Sequence, residues 1–243
     1  MIKSNSEQHL YWFNSPFYHQ LYQKRDYSEA TYFMNNLLHH LQIQDNSTIL
    51  DLACGRGRYS LYLNSLGYNV TGVDISKDNI EEANKNKSKN LSFIIHDIRC
   101  PLNNKFDLIL NLFTSFGYYK NNNDNLSIIK SIKSNLNSKG KVVIDFFNSD
   151  FVLKNIVKND QKIIDNTKFV IKRYLENDIL IKDIHVSLKN KSYRFQERVK
   201  TYSLEDFSTM FKKCNLNIIE VFGDYKLNPF NKEKSPRLIM IIK

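Results

Sequence analysis

The chain has 243 residues, 42% of them hydrophobic and 13% aromatic, with 35 Lys+Arg against 25 Asp+Glu for a formal net charge of +10. That length and apolar content suffice for a full core and exclude a disordered or fibrous chain. Three cysteines (Cys54, Cys100 and Cys214) without metal-ligand spacing exclude a disulfide framework and fit a reducing compartment. No apolar run reaches the roughly 18 residues of a membrane span. The segment MIKSNSEQHLYWF lacks the apolar core of a signal peptide, so a cytoplasmic protein without a membrane partner is expected. The charge is uneven: residues 1–150 carry 16 basic and 14 acidic side chains, residues 151–243 carry 19 and 11. A generally solvated basic surface accounts for this excess better than nucleic-acid binding does.

In chain order, residues 7–41 read as helical and aromatic, with Pro16 dividing the first part so that two short helices are expected there. Ser28–Leu41 then carries a helical stripe (Ala30, Phe33, Met34, Leu37, Leu38, Leu41). Core packing is the plain reading of most of these aromatics; His19, beside Tyr18, reads as an exposed helix histidine ahead of the alternative that it faces the substrate. The next stretch, ILDLACGRGRYSLYLNSLGYNVTGVD, organises the chain. An apolar strand ends in Asp51, a turn follows through Ala53, Cys54, Gly55, Arg56 and Gly57, and a helix with Leu61, Leu63 and Leu66 stops at Gly67. A second strand, Asn69–Val73, ends in Asp74. This is half of a βαβ unit. Its glycines admit close backbone approach, its helix N-terminus offers free N–H groups, and Asp74 is placed to accept from ribose hydroxyls. The third glycine of the dinucleotide fingerprint is missing, since Gly55-Arg56-Gly57-Arg58-Tyr59-Ser60 ends in serine. An acid at the end of the first strand, Asp51, repels a pyrophosphate and suits a ligand with a cationic amino-acid portion.

The run DLACGRG followed by GVDIS resembles the class I S-adenosylmethionine-dependent methyltransferases. The resemblance is good over roughly residues 15–149. It implies S-adenosylmethionine as cofactor, with Asp51, Ala53, Cys54, Gly55 and Gly57 along its methionine part, Asp74 on the ribose, and Ile75 at the adenine edge. In this context Cys54 is a small loop residue near the sulfonium and not a nucleophile. The segment Arg25-Asp26-Tyr27-Ser28-Glu29-Ala30 resembles the region before the core of small-molecule methyltransferases, sugar-amine N-methyltransferases among them. By that resemblance the N-terminal helices form a lid, from which Tyr18 and Arg25 reach the cofactor, Arg25 as a fork to its carboxylate.

Ser76 is the expected N-cap of a helix to about Lys85, and Leu91–Ile95 the third strand. It ends His96-Asp97-Ile98-Arg99, where the family places an acid on the adenine amine and the next residue at the ring, matching Asp97 and Ile98. Phe106–Leu112 is a buried parallel strand. In the segment after it, the resemblance sets Leu112 and Phe113 against the cofactor and points Thr114, Ser115 and Tyr118 toward the acceptor. A helix over Asn123–Leu136 with Leu126, Ile129, Ile132 and Leu136 inward is expected to end at Ser138-Lys139-Gly140, before strand five, Lys141–Phe147. The β-rich runs Lys162–Ile164, Lys168–Leu175, Ile179–Leu188 and Tyr193–Tyr202 read as an antiparallel insertion. Its basic residues Lys172, Arg173, Lys182, Arg194, Arg198 and Lys200 read mostly as a solvated face. Ser203 caps a helix over Leu204–Lys213, and Leu216–Phe222 and Arg237–Ile242 are closing strands.

The expected fold is therefore α/β: a doubly wound, Rossmann-like seven-stranded sheet with an N-terminal helical lid and an antiparallel β insertion after strand five. The expected organisation is 1–40 lid, 41–149 cofactor-binding core, 150–202 insertion and 203–243 completion of the sheet. The sequence offers no metal-spaced cluster and no Cys/His pair. Methyl transfer is an in-line displacement that needs alignment in a dry pocket more than an acid–base constellation, so no catalytic residue is assigned. The Pro-Pro-aromatic tetrad of nucleobase-amine methylating enzymes is absent, Asn111-Leu112-Phe113-Thr114 standing in its place. A small-molecule acceptor is the leading expectation, with RNA or protein methylation through the basic half, or a non-catalytic cofactor-binding module, as alternatives. A monomer or homodimer is expected.

Overall fold

The computed structural model describes residues 11–23 and 27–243, with the backbone alone for residues 27–30. Two sheets carry the architecture. The larger has seven strands: β1 (Thr48–Leu52), β2 (Asn69–Asp74), β3 (Leu91–Ile95), β4 (Phe106–Asn111), β5 (Leu136–Phe147), β10 (Ile218–Phe222) and β11 (Arg237–Ile242), in the order β10-β11-β5-β4-β1-β2-β3. β1 to β5 pair parallel, and β11 lies antiparallel between β5 and β10. The strand order reverses next to β1, between it and β4, which is where ligands bind in open α/β sheets.

Alternation along the strands divides the core. Leu50, Leu52, Ile109, Val142, Ile144 and Phe146 pack on one face with α5 (Asn122–Asn135) and α7 (Leu204–Lys212). Ile49, Leu108, Leu110, Val143 and Ile239 pack on the other with α2 (Tyr27–Leu41), α3 (Arg58–Ser65) and α4 (Lys77–Asn84). On α2 the stripe Phe33, Met34, Leu37 and Leu41 is buried as the periodicity predicts, each side chain contributing about 1.5–3 kcal/mol. Ser76 caps α4 by accepting from the Asn79 N–H, and Ser203 with Asp206 forms a capping box on α7.

The second sheet, β6 (Asn159–Ile164), β7 (Thr167–Glu176), β8 (Ile179–Leu188) and β9 (Lys191–Lys200), is antiparallel throughout. One face carries Phe169, Ile171, Ile184, Val186 and Phe195, and the N-terminal segment covers it. Pro16 divides two helices as expected: residues 11–13 are helical and the chain breaks at Asn14 and Ser15. Pro16 starts α1 (Pro16–Leu21), with Ser15 as N-cap. Trp12 and Leu21 are buried on the sheet, and the Trp12 indole donates to Glu197 Oε1 at 2.6 Å.

Several expectations need correction. α5 does not end at Ser138-Lys139-Gly140: the chain turns straight into β5 at Leu136, and an irregularity in the β4–β5 register absorbs the extra residues. Leu126 is only partly buried, because Asn125 and Ile128 take the inward positions. A short helix, α6 (Ser149–Lys154), was not anticipated. The basic residues of the second sheet are not mostly solvated. Arg173 pairs with Asp160, Lys182 with Glu197, Arg198 with Glu176 and Lys200 with Asp178. Strand alternation turns Arg173 and Lys182 to the face that α1 covers, where an unpaired charge would be costly. Lys172 and Arg194 do lie exposed.

Candidate active site

Because β1 to β5 run parallel, their C-terminal ends share one edge. The antiparallel β11 brings its first residue, Arg237, to the same edge opposite Phe147. The turn after β1 is built for tight curvature. Ala53, Gly55 and Gly57 all have positive φ (59°, 58° and 80°). A Cβ on Gly57 would fall 2.5 Å from the Phe93 ring, so only glycine fits. The Cys54 N–H donates to the Val73 carbonyl at 2.9 Å, tying the turn to β2.

Two carboxylates flank this turn. Asp51 is buried and accepts from Ser60 Oγ at 2.6 Å. Burial pushes its pKa up to about 6, and the neighbouring Asp74 adds to the rise. Asp74 accepts from the Gly55 N–H at 2.9 Å and the Ser76 N–H at 2.8 Å, yet burial still raises its pKa. Neither forms an ion pair among the described residues. Burial, then Asp51 and Asp74, push the Cys54 thiol well up, so it stays protonated at neutral pH and is no nucleophile. Ile75 remains 40% exposed beside Asp74.

Asp97, at the end of β3, is instead engaged. Arg99 grips it through Nε and Nη2, the Nη2–Oδ2 distance being 2.6 Å, and the Tyr119 hydroxyl donates to its Oδ1 at 3.3 Å. These hydrogen bonds and the guanidinium hold its carboxyl below the usual range. Ile98 is buried in the core beside it.

At the end of β4, Phe113 and Thr114 adopt left-handed backbone (φ 60° and 62°). Asp145 of β5 holds them there. Its Oδ2 accepts from the Phe113 N–H at 2.9 Å and its carbonyl from the Thr114 N–H at 2.9 Å. The Asp145 carboxylate is in turn paired with Arg237 at 2.6 Å and accepts from the Tyr225 hydroxyl at 3.2 Å. Two of the three expected acceptor hydroxyls are occupied by this scaffold: Thr114 Oγ1 accepts from Arg237 and Ser115 Oγ donates to the Leu112 carbonyl. Leu112 is buried, and Phe113 lies between the tilted rings of Tyr59 and Tyr225 with the Arg58 guanidinium 4.8 Å from its ring centre. Asn111 is fully buried. Its amide donates to the Leu52 carbonyl while its Oδ1 has no hydrogen-bond partner.

The N-terminal segment meets this edge at Phe13. The Phe13 ring packs edge-on against Tyr118 at 5.3 Å, and His19 lies within the field of Arg56 in the glycine turn. Tyr18 sits among Trp12, Phe13 and Tyr22. Arg25 lies outside the described residues. His19 is not the exposed helix histidine expected: its ring is half-buried, with Nε2 sealed from solvent and unpartnered. The sequence missed Asn111, the Asp145–Arg237–Tyr225 network and the Arg99 grip. Asn111 stood in the tetrad position, a signal that could have been used. The other two join residues through folding and leave no local pattern.

Residues 43–206 match the methyltransferase-domain family. A Bacillus subtilis protein named as a methyltransferase, YqeM, is 27% identical over 75% of this chain and 78% of its own. The S-adenosylmethionine-dependent methyltransferase structure from Clostridium acetobutylicum superposes with a TM-score of 0.79 at 23% identity, over 93% of this chain and 96% of that one. The structure of CalS10 from Micromonospora echinaspora, an amino pentose methyltransferase with S-adenosylmethionine bound, gives 0.69 at 15% identity, over 94% and 96%. No described helix is long and apolar enough to cross a membrane, and no His/Cys/Asp/Glu group among the described residues is placed to hold a metal.

Proposed function

The chain belongs to the class I S-adenosylmethionine-dependent methyltransferases, and we propose that its acceptor is a small molecule methylated on an amine or hydroxyl. The observation that carries the cofactor's placement is a pair of carboxylates without ion-pair partners among the described residues, the buried Asp51 and the half-buried Asp74, on either side of a left-handed glycine turn. Burial raises both pKa values, and neither carboxylate has a cation within ion-pair distance among the described residues to offset it. S-adenosylmethionine has positive charge and hydrogen-bond donors: a sulfonium, an ammonium and two ribose hydroxyls. The residues present therefore fit it, and when bound it supplies an activated methyl group on a positive sulfur.

In this reading Asp51 and the Ala53–Gly57 turn hold the methionine portion, and Asp74 accepts from the ribose. Ile75 and Ile98 flank the adenine. Asp97 contributes through the shape that Arg99 imposes on its loop, since its oxygens already accept several hydrogen bonds. Asn111 Oδ1 accepts from the cofactor's ammonium or from the acceptor. Leu112 and Phe113 wall the site, and the ordered Phe113–Thr114 loop keeps that wall fixed, which favours in-line alignment. Residues 11–23 serve as its roof, 41–149 and 203–243 as its floor, and 150–202 as the platform that carries the roof, while α2 packs into the core of the large sheet.

The small-molecule reading draws on the amino pentose acceptor named for CalS10, and on the N-terminal segment, whose Phe13 packs against Tyr118 in the loop after β4. A second reading rests on the outer face of the second sheet. Lys168, Lys172, His185 and Arg194 are exposed there and form no ion pair among the described residues. On that reading the acceptor is RNA. Titration calorimetry with S-adenosylmethionine, S-adenosylhomocysteine and NAD comes first, followed by methyl transfer to a panel of aminodeoxysugars. Micromolar binding of the first two, none of NAD, and transfer to a sugar amine are expected. A steep salt dependence of RNA binding, with no transfer to any small acceptor, would replace this reading by the second.

A further inference from the structure

Resting on the small-acceptor reading, we propose that His19 orients the methyl acceptor, its Nε2 accepting a hydrogen bond from the N–H or O–H of the nucleophilic atom. Three buried polar atoms without hydrogen-bond partners lie on the elements that form the site: Asn14 Oδ1 and the ring nitrogen His19 Nε2 on the roof, and Asn111 Oδ1 at the end of β4. Buried polar atoms of a folded protein are normally paired. Their concentration here, with Asn111 fully buried, means that a bound molecule rich in N–H and O–H groups completes them. His19 packs against Tyr18, which meets Phe13, the residue that touches Tyr118 in the loop after β4, and the Arg56 charge of the glycine turn acts on its ring.

The ring is suited to accepting. Burial, then Arg56, lower its pKa to about 4, so it is neutral at physiological pH. A neutral imidazole protonated on Nδ1 presents a lone pair at Nε2. An attacking amine must keep its own lone pair free for the methyl carbon. A hydrogen bond from its N–H to an acceptor on the protein satisfies this, whereas a donor would bind the lone pair and block attack. An imidazolium would also repel the sulfonium. His19 thus aims the nucleophile and performs no bond change itself.

The test uses the full chain with 15N-labelled histidine, saturated with S-adenosylhomocysteine and titrated with 3-amino-3-deoxyglucose and with benzylamine. The expected result is an Nδ1–H tautomer at His19 and a saturable shift of its Nε2 resonance with at least one probe. By calorimetry, His19→Ala should weaken that probe about tenfold, the loss of one good hydrogen bond. His19→Gln, whose amide oxygen can occupy the place of Nε2, should stay within about threefold of wild type, and both variants should bind S-adenosylhomocysteine as wild type does. A Nε2–H tautomer in the complex, no shift with either probe, or equal losses in the Ala and Gln variants would overturn the assignment. Failure of the wild-type chain to bind S-adenosylhomocysteine would instead remove the functional reading beneath it, and so is told apart from a failure at His19.

Discussion

Four carboxylates stand along the same edge of the large sheet and divide into two kinds. Asp97 and Asp145, toward the flanks, each have an arginine of their own, Arg99 and Arg237. Asp51 and Asp74, in the middle, have hydrogen bonds but no arginine or lysine within ion-pair distance among the described residues. The flanking pairs are complete without a ligand and act as scaffold. The central pair has no cation of its own, Asp51 lying inside the protein, which costs stability and is consistent with the proposed site of a cationic ligand. Structure and function are thus separated by which carboxylates the fold chose to neutralise.

The sharpest way to break this division is to remove the arginine from the buried scaffold pair. Arg237→Ala leaves Asp145, fully buried, without its cation and releases Thr114 Oγ1. A loss of about 3–5 kcal/mol is expected, the cost of stranding one partner of a buried ion pair. The Phe113–Thr114 turn should loosen with it, since Asp145 holds that strained backbone in place. Chemical denaturation measures the loss. A variant within about 1 kcal/mol of wild type would show that Asp145 is no scaffold.

How much of this was readable beforehand follows from the range of each interaction. The glycine turn, Asp51, Asp74 and the Ser76 cap are local, and their spacing in the sequence is their spacing in space. The large sheet was legible for the same reason, its strands being short apolar runs between turns. The Asp145–Arg237 pair spans 92 residues, and only the antiparallel return of β11 brings it together. The fate of the basic second half was hidden similarly. Alternation reveals that Arg173 and Lys182 share a face, but not that the N-terminal segment covers it and forces them to pair. His19 was misread because the partner surface that buries it comes from elsewhere in the chain.

Asp51→Asn tests the central pair with opposite signs. The asparagine oxygen can still accept from Ser60, while the cost of a buried charge disappears. With its folded pKa raised to about 6 from 3.8, Asp51 binds more protons folded than unfolded. Its protonated form therefore favours the fold fully below about pH 4, and this is lost as pH rises through 6. Above pH 6 the variant should be more stable than wild type by about 1–3 kcal/mol, the gap closing toward pH 4. Affinity for S-adenosylmethionine should fall in the same variant. Stability and affinity dropping together would place Asp51 with the scaffold carboxylates. Asp74→Ala should weaken the cofactor by about 1–3 kcal/mol through lost hydrogen bonds, and unchanged affinity by calorimetry would remove its ribose role.

Arg99→Ala carries the smallest expected effect and is the most discriminating for the flank. The Arg99–Asp97 pair is bidentate, but both side chains are partly exposed to water, which screens them. Its removal should cost no more than about 1 kcal/mol of stability. The Tyr119 hydroxyl, whose pKa burial and Asp97 push up to about 12, still donates to the carboxylate. What changes is the availability of Asp97, whose oxygens would be freed toward the adenine. If its role is only to shape the loop, cofactor affinity in Arg99→Ala should stay level or fall slightly as the loop relaxes. If Asp97 is instead a ligand held back by Arg99, affinity should rise, and the boundary between neutralised scaffold and open site would have to be redrawn to include the end of β3.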